Sequence, residues 1–229
     1  MAHCTGRTVA RGFTLIELLV AISVMALMAV LSWRGLDGVS RAQIQLQQRS
    51  DEVLALQATL GQWGVDLDAL AEQPNLPNLD WDGRALRLLR HSSGGRDEGL
   101  RVVAWSRRSD HGVGQWLRWQ SPALRNRSEL ELAWQKAQAW AQTPSDADRQ
   151  REVRTVALDS WQIFYYRGNA WSNPLSSTGA AANGPVAPTS NTASQTPDGV
   201  RLVLTLAQGQ ALSGTITRDW VRPVLGGGQ

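Results

Sequence analysis

The sequence predicts an α+β fold: one long N-terminal helix, then antiparallel strands, with one extra short helix among them. Three observations predict it. No proline occurs between Phe13 and Gln73. After Asp82-Gly83 the spacing of apolar residues changes from three-and-four to partial alternation. Within the strand-like part, Ser128-Glu129-Leu130-Glu131 matches a helix capping box.

The proline-free stretch closes at Pro74 and Pro77. Because proline breaks helix interiors, the gap permits one helix of ~60 residues, roughly 90 Å long. Its first part, 13–33, is an apolar run with one ionisable side chain, Glu17. That is about the ~20 residues a helix needs to cross a bilayer core. A carboxylate there costs ~3 kcal/mol and needs a partner. The second part, 34–73, is amphipathic. Val39, Ala42, Leu46, Val53, Leu56, Leu60, Trp63, Leu67 and Leu70 recur at helical spacing, with Arg49 at the missing step, while Gln45, Gln48, Asp51, Glu52 and Gln62 face away. A coiled-coil dimer would also produce such a stripe. Packing on the chain's own sheet is preferred, because strand-like segments follow at once. Gly35, Gly38, Gly61 and Gly64 each cost ~1 kcal/mol against alanine, so a bend or local melting is expected near Gly35–Gly38.

The region 74–229 reads as one antiparallel β domain. Strands are expected at Ala85–Arg90, Leu100–Arg107, Gln115–Gln120, Trp161–Trp171, Val200–Leu206 and Gly214–Arg222, separated by Gly-, Ser- and Asp-rich turns. The short helix spans 128–142, with Leu130, Trp134, Ala137 and Ala141 on one stripe, and Thr143–Glu152 is a loop. From 172 to 197 the chain is almost entirely Ser, Ala, Thr, Asn, Gly and Pro, a composition that predicts a flexible surface loop.

Composition narrows the function. Removal of Arg7 and Arg11 with a leader would take the formal charge from +3 to +1, too weak a balance to point to nucleic acid. The only cysteine is Cys4, and no His/Cys set has zinc spacing. Asp80-Trp81-Asp82-Gly83 opens like a calcium loop but lacks the later ligands and the closing Glu, so it reads as a turn. There is no G-x-S-x-G elbow, P-loop or H-E-x-x-H. No catalytic residue, metal ligand or cofactor is assigned. Of the 11 tryptophans, Trp105, Trp116, Trp119, Trp161, Trp171 and Trp220 fall on expected strands, as core or half-buried positions. Arg84, Arg87 and Arg90 are expected on a solvated strand face.

Arg7 and Arg11, then Gly12-Phe13-Thr14-Leu15-Ile16-Glu17 and the apolar run to Trp33, closely resemble the signal of type IV pilin-like proteins. An ordinary secretory signal has a core of ~7–15 residues and a small-residue cleavage site, whereas this run is longer and no A-x-A triplet follows. The resemblance implies a pilin-like fold and a leader, 1–12, removed by prepilin peptidase between Gly12 and Phe13. Phe13 would then be N-methylated. Glu17, fifth in the mature chain, would meet a neighbouring subunit's Phe13 amine during assembly.

Trp33-Arg34-Gly35-Leu36-Asp37-Gly38-Val39-Ser40-Arg41 resembles the juxtamembrane stretch of minor pseudopilin J of the type II secretion system. Gly199 to Leu206, with Arg218 to Pro223, resembles that family's closing strands. This implies a structural subunit of the pseudopilus tip complex, which initiates assembly of the pseudopilus for protein export across the outer membrane. Implied partners are the I-type and K-type minor pseudopilins, with the H-type and the major pseudopilin as further candidates, together with prepilin peptidase and inner-membrane lipid. The chain would be a single-pass protein of the bacterial inner membrane, with a cytoplasmic N-terminus, as the positive-inside rule favours for Arg7 and Arg11, and a periplasmic domain. The alternatives are a minor pilin of a type IV pilus or DNA-uptake filament, and an envelope enzyme on a membrane anchor.

Overall fold

The computed structural model describes residues 12–73, 77–92, 99–110, 112–176 and 196–223. The chain forms two compact units, Met1–Gln48 and Arg49–Gln229. Helix α1 is continuous from Leu15 to Asp68. It runs unbroken through Gly35, Gly38, Gly61 and Gly64, contrary to the expected bend, since each glycine weakens a helix without removing a backbone hydrogen bond. It ends five residues before the expected limit at Gln73, and proline plays no part in the stop. Ala71 N–H donates to Leu89 O at 2.9 Å, and His91 N–H donates to Ala69 O at 2.8 Å. Pairing with a strand captures the chain there.

In the second unit the strands are β1 (Leu79–Trp81), β2 (Ala85–Ser92), β3 (Gly99–Asp110), β4 (Val113–Gln120), β5 (Glu152–Arg167), β6 (Ala170–Ser172), β7 (Gly199–Leu206) and β8 (Gly214–Val221). They form one sheet in the order β1-β2-β3-β4-β5-β7-β8, every pair antiparallel. Strand β6 pairs with Tyr165–Arg167 of β5, on the edge opposite β7. Helices α2 (Arg127–Gln142) and α3 (Asp146–Arg149) connect β4 to β5.

Alternation along the strands gives the sheet two apolar faces. Leu86 and Leu88 of β2, Val103 and Trp105 of β3 and Trp116 of β4 share one core with Leu56, Trp63 and Leu67 of α1. Inward residues of β5, β7 and β8 continue it, including Trp161, Ile163, Leu202, Leu204 and Trp220. On the other face Ala85, Leu89, Val102, Ala104, Leu117 and Trp119 pack under Leu130, Ala133, Ala137, Trp140 and Ala141 of α2. The stripe read on α1 is therefore a packing face from Val53 onward, with Leu56, Trp63 and Leu67 buried and Val53, Leu60 and Leu70 half-buried. Val39, Ala42, Leu46 and Arg49 are exposed.

Tryptophans dominate both cores. Trp81 meets Trp161 edge-on at 4.6 Å, Trp161 meets Trp116 at 5.8 Å, and Trp116 meets Trp105 at 4.5 Å. Trp119 stacks on Trp140 at 6.3 Å across the second face. Burial of one such ring removes ~200 Å² from water, worth at most about 5 kcal/mol. No cysteine follows Cys4 in the sequence, so the second unit is held by packing and polar contacts without a disulfide.

One polar cluster pins α1 to the sheet. Asp66 is fully buried. Its carboxylate accepts from Arg118 Nε and Nη2 at 2.7 and 2.8 Å, Arg90 Nη1 at 2.5 Å, Trp105 Nε1 at 2.9 Å and Gln62 Nε2 at 3.0 Å. A buried carboxylate stands the loss of water only when its lone pairs are filled in this way. Glu152 plays the matching part under α2, taking both 2.7 Å bonds from Arg108 Nη2 and one of 2.9 Å from Trp140 Nε1. Trp220 Nε1 donates to Asp68 at 2.8 Å, and Arg222 pairs with Glu72, tying β8 to the end of α1.

The structure corrects several expectations. Arg87 and Arg90 are not on a solvated face. Arg87 is buried, paired with Asp80, donating to Gln138 at 3.2 Å and lying over the Trp134 ring at 5.4 Å, while Arg90 joins Asp66. The nearby carboxylates make burial of these guanidinium groups affordable. The N-cap of α2 is Asn126 rather than Ser128, because Asn126 Oδ1 accepts Glu129 N–H at 2.9 Å. The stretch Trp161–Trp171 is the end of β5 and most of β6, turned at Gly168-Asn169, both with positive φ. Strand β5 starts at Glu152, nine residues before the expected Trp161, and the expected loop 143–152 contains α3, closed by a Ser145–Asp148 capping box. The turn at Asp82-Gly83 is borne out: Gly83 has φ +87°, and Asp82 Oδ1 accepts the Arg84 and Ala85 N–H groups. Most of the expected loop 172–197 lies outside the described residues.

Tyr165 is buried with no partner for its hydroxyl among the described residues. Burial, followed by the nearby Asp80 charge, raises its pKa far above the ordinary tyrosine value. The unfolded chain therefore releases this proton first, and stability should fall as pH rises above about 10. Tyr165→Phe should be neutral or stabilising by up to ~1 kcal/mol and should flatten that alkaline loss. Urea unfolding at neutral and alkaline pH checks both effects.

Candidate functional site

The candidate site is the start of α1 in the first unit. Thr14-Leu15-Ile16-Glu17 forms a capping box that the sequence reading missed, although the T-x-x-E spacing is legible. Thr14 N–H and Thr14 Oγ1–H donate to Glu17 Oε2 at 3.0 and 2.8 Å, and Glu17 N–H donates to Thr14 Oγ1 at 3.4 Å. The negative side chain also lies in the first turn, where the helix dipole favours it. Both bonds to the carboxylate fall on Oε2, and among the described residues Oε1 has no partner. The carboxylate is thus oriented by its own chain and retains an open acceptor.

Gly12 and Phe13 precede the helix, which begins at Leu15, so the bond between them lies outside helical structure. Phe13 is 89 % exposed. A Cβ on Gly12 would meet nothing within 4 Å, so the chain's own packing imposes no need for glycine there. From Phe13 to Trp33 the side chains are exposed, Leu15, Ile16, Met25, Met28 and Leu31 among them. Such a surface is stable in hydrocarbon or against other helices, not in water. α1 is the one helix among the described residues long and apolar enough to cross a membrane. Ser23 Oγ, a hydroxyl near the middle of the run, donates back to Leu19 O at 2.8 Å, which removes a polar group from that surface.

Residues 7–33 match the prokaryotic N-terminal methylation motif. That motif indicates the type IV pilin-like superfamily, whether of a pilus or a pseudopilus. The long apolar helix followed by an antiparallel sheet and a short helix is consistent with a pilin-like fold. No curated protein matches the chain. The matched segment contains Gly12, Phe13 and Glu17, and the structure brings the last two to one helix start. Among the described residues no group of three or more His, Cys, Asp or Glu side chains is placed to hold a metal.

Proposed function

We propose that this pilin-like chain is a J-type minor pseudopilin of a bacterial type II secretion system, a structural subunit of the pseudopilus tip complex. The methylation motif at the head of a helix whose apolar first part, 13–33, is exposed throughout carries the reading. The J type rests on the resemblance of Trp33–Arg41, Gly199–Leu206 and Arg218–Pro223. In this reading prepilin peptidase cleaves between Gly12 and Phe13, and the new Phe13 amine is methylated. The chain stays anchored by 13–33 in the inner membrane, N-terminus in the cytoplasm and sheet domain in the periplasm. Its role is assembly rather than catalysis.

The mechanism is a register set by charge. Glu17 Oε1 is satisfied in hydrocarbon only when a neighbouring subunit's Phe13 amine arrives at one axial offset, while Thr14 holds Oε2 fixed. The apolar side chains around it supply packing without direction. The I-type and K-type minor pseudopilins are the proposed immediate partners, with the H-type and the major pseudopilin next. Affinity purification of the full-length chain from a membrane extract, with partners identified by mass spectrometry, tests this. Recovery of the I and K types supports the tip assignment. Recovery of pilus components moves the chain to a type IV pilus or DNA-uptake filament, and recovery of neither contradicts the secretion reading.

A further inference from the structure

An open groove of about 480 Å³ runs along the α2 side of the second unit. Its floor is apolar, made by Trp119, Leu124, Leu132 and Ala133, and Leu132 is left 66 % exposed. Three cations line it from three separate segments: Arg125 before α2, Lys136 within it, and Arg151 before β5. Lys136 has one ion pair, to Asp148 at 3.4 Å. Arg125 and Arg151 have no side-chain ion pair among the described residues. The one carboxylate in the lining, Glu129, is already engaged: its oxygens accept Arg125 N–H at 2.7 Å and Asn126 Nδ2 at 3.0 Å. The groove is therefore apolar at its base, and its lining carries three cations against the single carboxylate of Glu129.

We infer that this groove docks a short acidic peptide segment of a partner protein, with an apolar side chain seated on Leu132 and flanking carboxylates on Arg125 and Arg151. Charge complementarity selects the occupant. Guanidinium groups match carboxylates in a planar, two-bond geometry. An apolar pocket with a few placed polar groups is the ordinary form of a binding site of this volume. A nucleic-acid backbone needs a longer row of cations than three and gains nothing from exposed leucine. A membrane surface would meet a concave face rather than a protruding one. This surface lies on the second unit and does not depend on how the N-terminus is processed, so it stands or falls apart from the filament reading.

The test uses the full-length chain in detergent and a fluorescein-labelled heptapeptide, Gly-Asp-Leu-Glu-Leu-Asp-Gly, followed by fluorescence anisotropy. The control peptide replaces Asp and Glu by Asn and Gln. The acidic probe should bind, the neutral one should bind about tenfold more weakly, and added salt should weaken the acidic complex. The double variant Arg125→Glu, Arg151→Glu should lose about tenfold or more, and Leu132→Ser should lose affinity without changing the salt dependence. These positions are exposed, so folding is retained, and an unchanged circular dichroism spectrum verifies it. Equal binding by native and double-variant chains would overturn the inference, as would no binding of the acidic probe. Displacement of the probe by inorganic phosphate at the same concentration as by unlabelled peptide would reduce the groove to a plain anion site and overturn it too.

Discussion

Glu17→Ala should give a chain that is cleaved and inserted normally but joins partner subunits at least about tenfold less well, a loss of ~1.4 kcal/mol or more. The proposed cleavage site, the Gly12-Phe13 bond, lies ahead of the helix, and the substitution leaves that segment as it is. The apolar run becomes cheaper to insert by ~3 kcal/mol, so a weaker anchor cannot explain a loss of assembly. Two roles of Glu17 separate cleanly. Its capping-box bonds to Thr14 are local and worth ~1 kcal/mol. Glu17→Gln keeps an acceptor for Thr14 but removes the charge that would pair with a Phe13 amine. If charge sets the register, Gln should fail as Ala does; rescue by Gln would assign the residue to the helix cap alone. Co-purification of partner subunits with each variant is the readout, and normal recovery with Glu17→Ala would contradict the register mechanism.

Asp66→Ala should destabilise the second unit by about 3–5 kcal/mol, the usual result of removing one partner from a buried ion cluster. Two guanidinium groups, on Arg90 and Arg118, would be left facing each other, and the Trp105 and Gln62 donors would be unfilled. For a unit of this size the thermal midpoint should fall by about 10 °C. The double variant Asp66→Leu, Arg118→Met should recover part of the loss, because it removes the excess cation together with the anion. Thermal unfolding followed by tryptophan fluorescence measures both. A loss below ~1 kcal/mol for Asp66→Ala would show that water reaches the cluster.

Legibility in the sequence followed the range of the interaction. The N-terminal helix was readable because length, proline absence and apolar spacing are properties of neighbouring residues. The same is true of Leu56, Trp63 and Leu67 as a packing stripe, of the turn at Asp82-Gly83 and of the strands later found as β2, β3, β4, β7 and β8. The end of α1 was not readable, since it is set by the pairing of Ala69 and Ala71 with strand β2. Asp66 collects partners 24, 39 and 52 residues away, a distance across which no local pattern survives. Strand β1 has 3 residues, too few to show alternation. Two features were legible and unread: the Thr14-to-Glu17 box, and Gly168-Asn169, a pair suited to a tight hairpin with positive φ at both positions.

The candidate site divides the same way. Gly12, Phe13 and Glu17 were named from residue order. Only the structure adds that Thr14 occupies one oxygen of Glu17 and leaves the other open. The groove beside α2 gave no sequence signal, because Arg125, Lys136 and Arg151 come together only after α2 folds onto the sheet.

The central claim is that the chain is a processed pilin-like subunit, and the mass of its N-terminal peptide tests it most directly. The full-length chain is purified from membranes, digested and read by tandem mass spectrometry, with Gly12→Asp as the cleavage-blocked control. The account predicts a native peptide that starts at Phe13 with one methyl on its amine, and a control that retains its leader. A native peptide that starts at Met1 or Ala2, or after any residue other than Gly12, would contradict it.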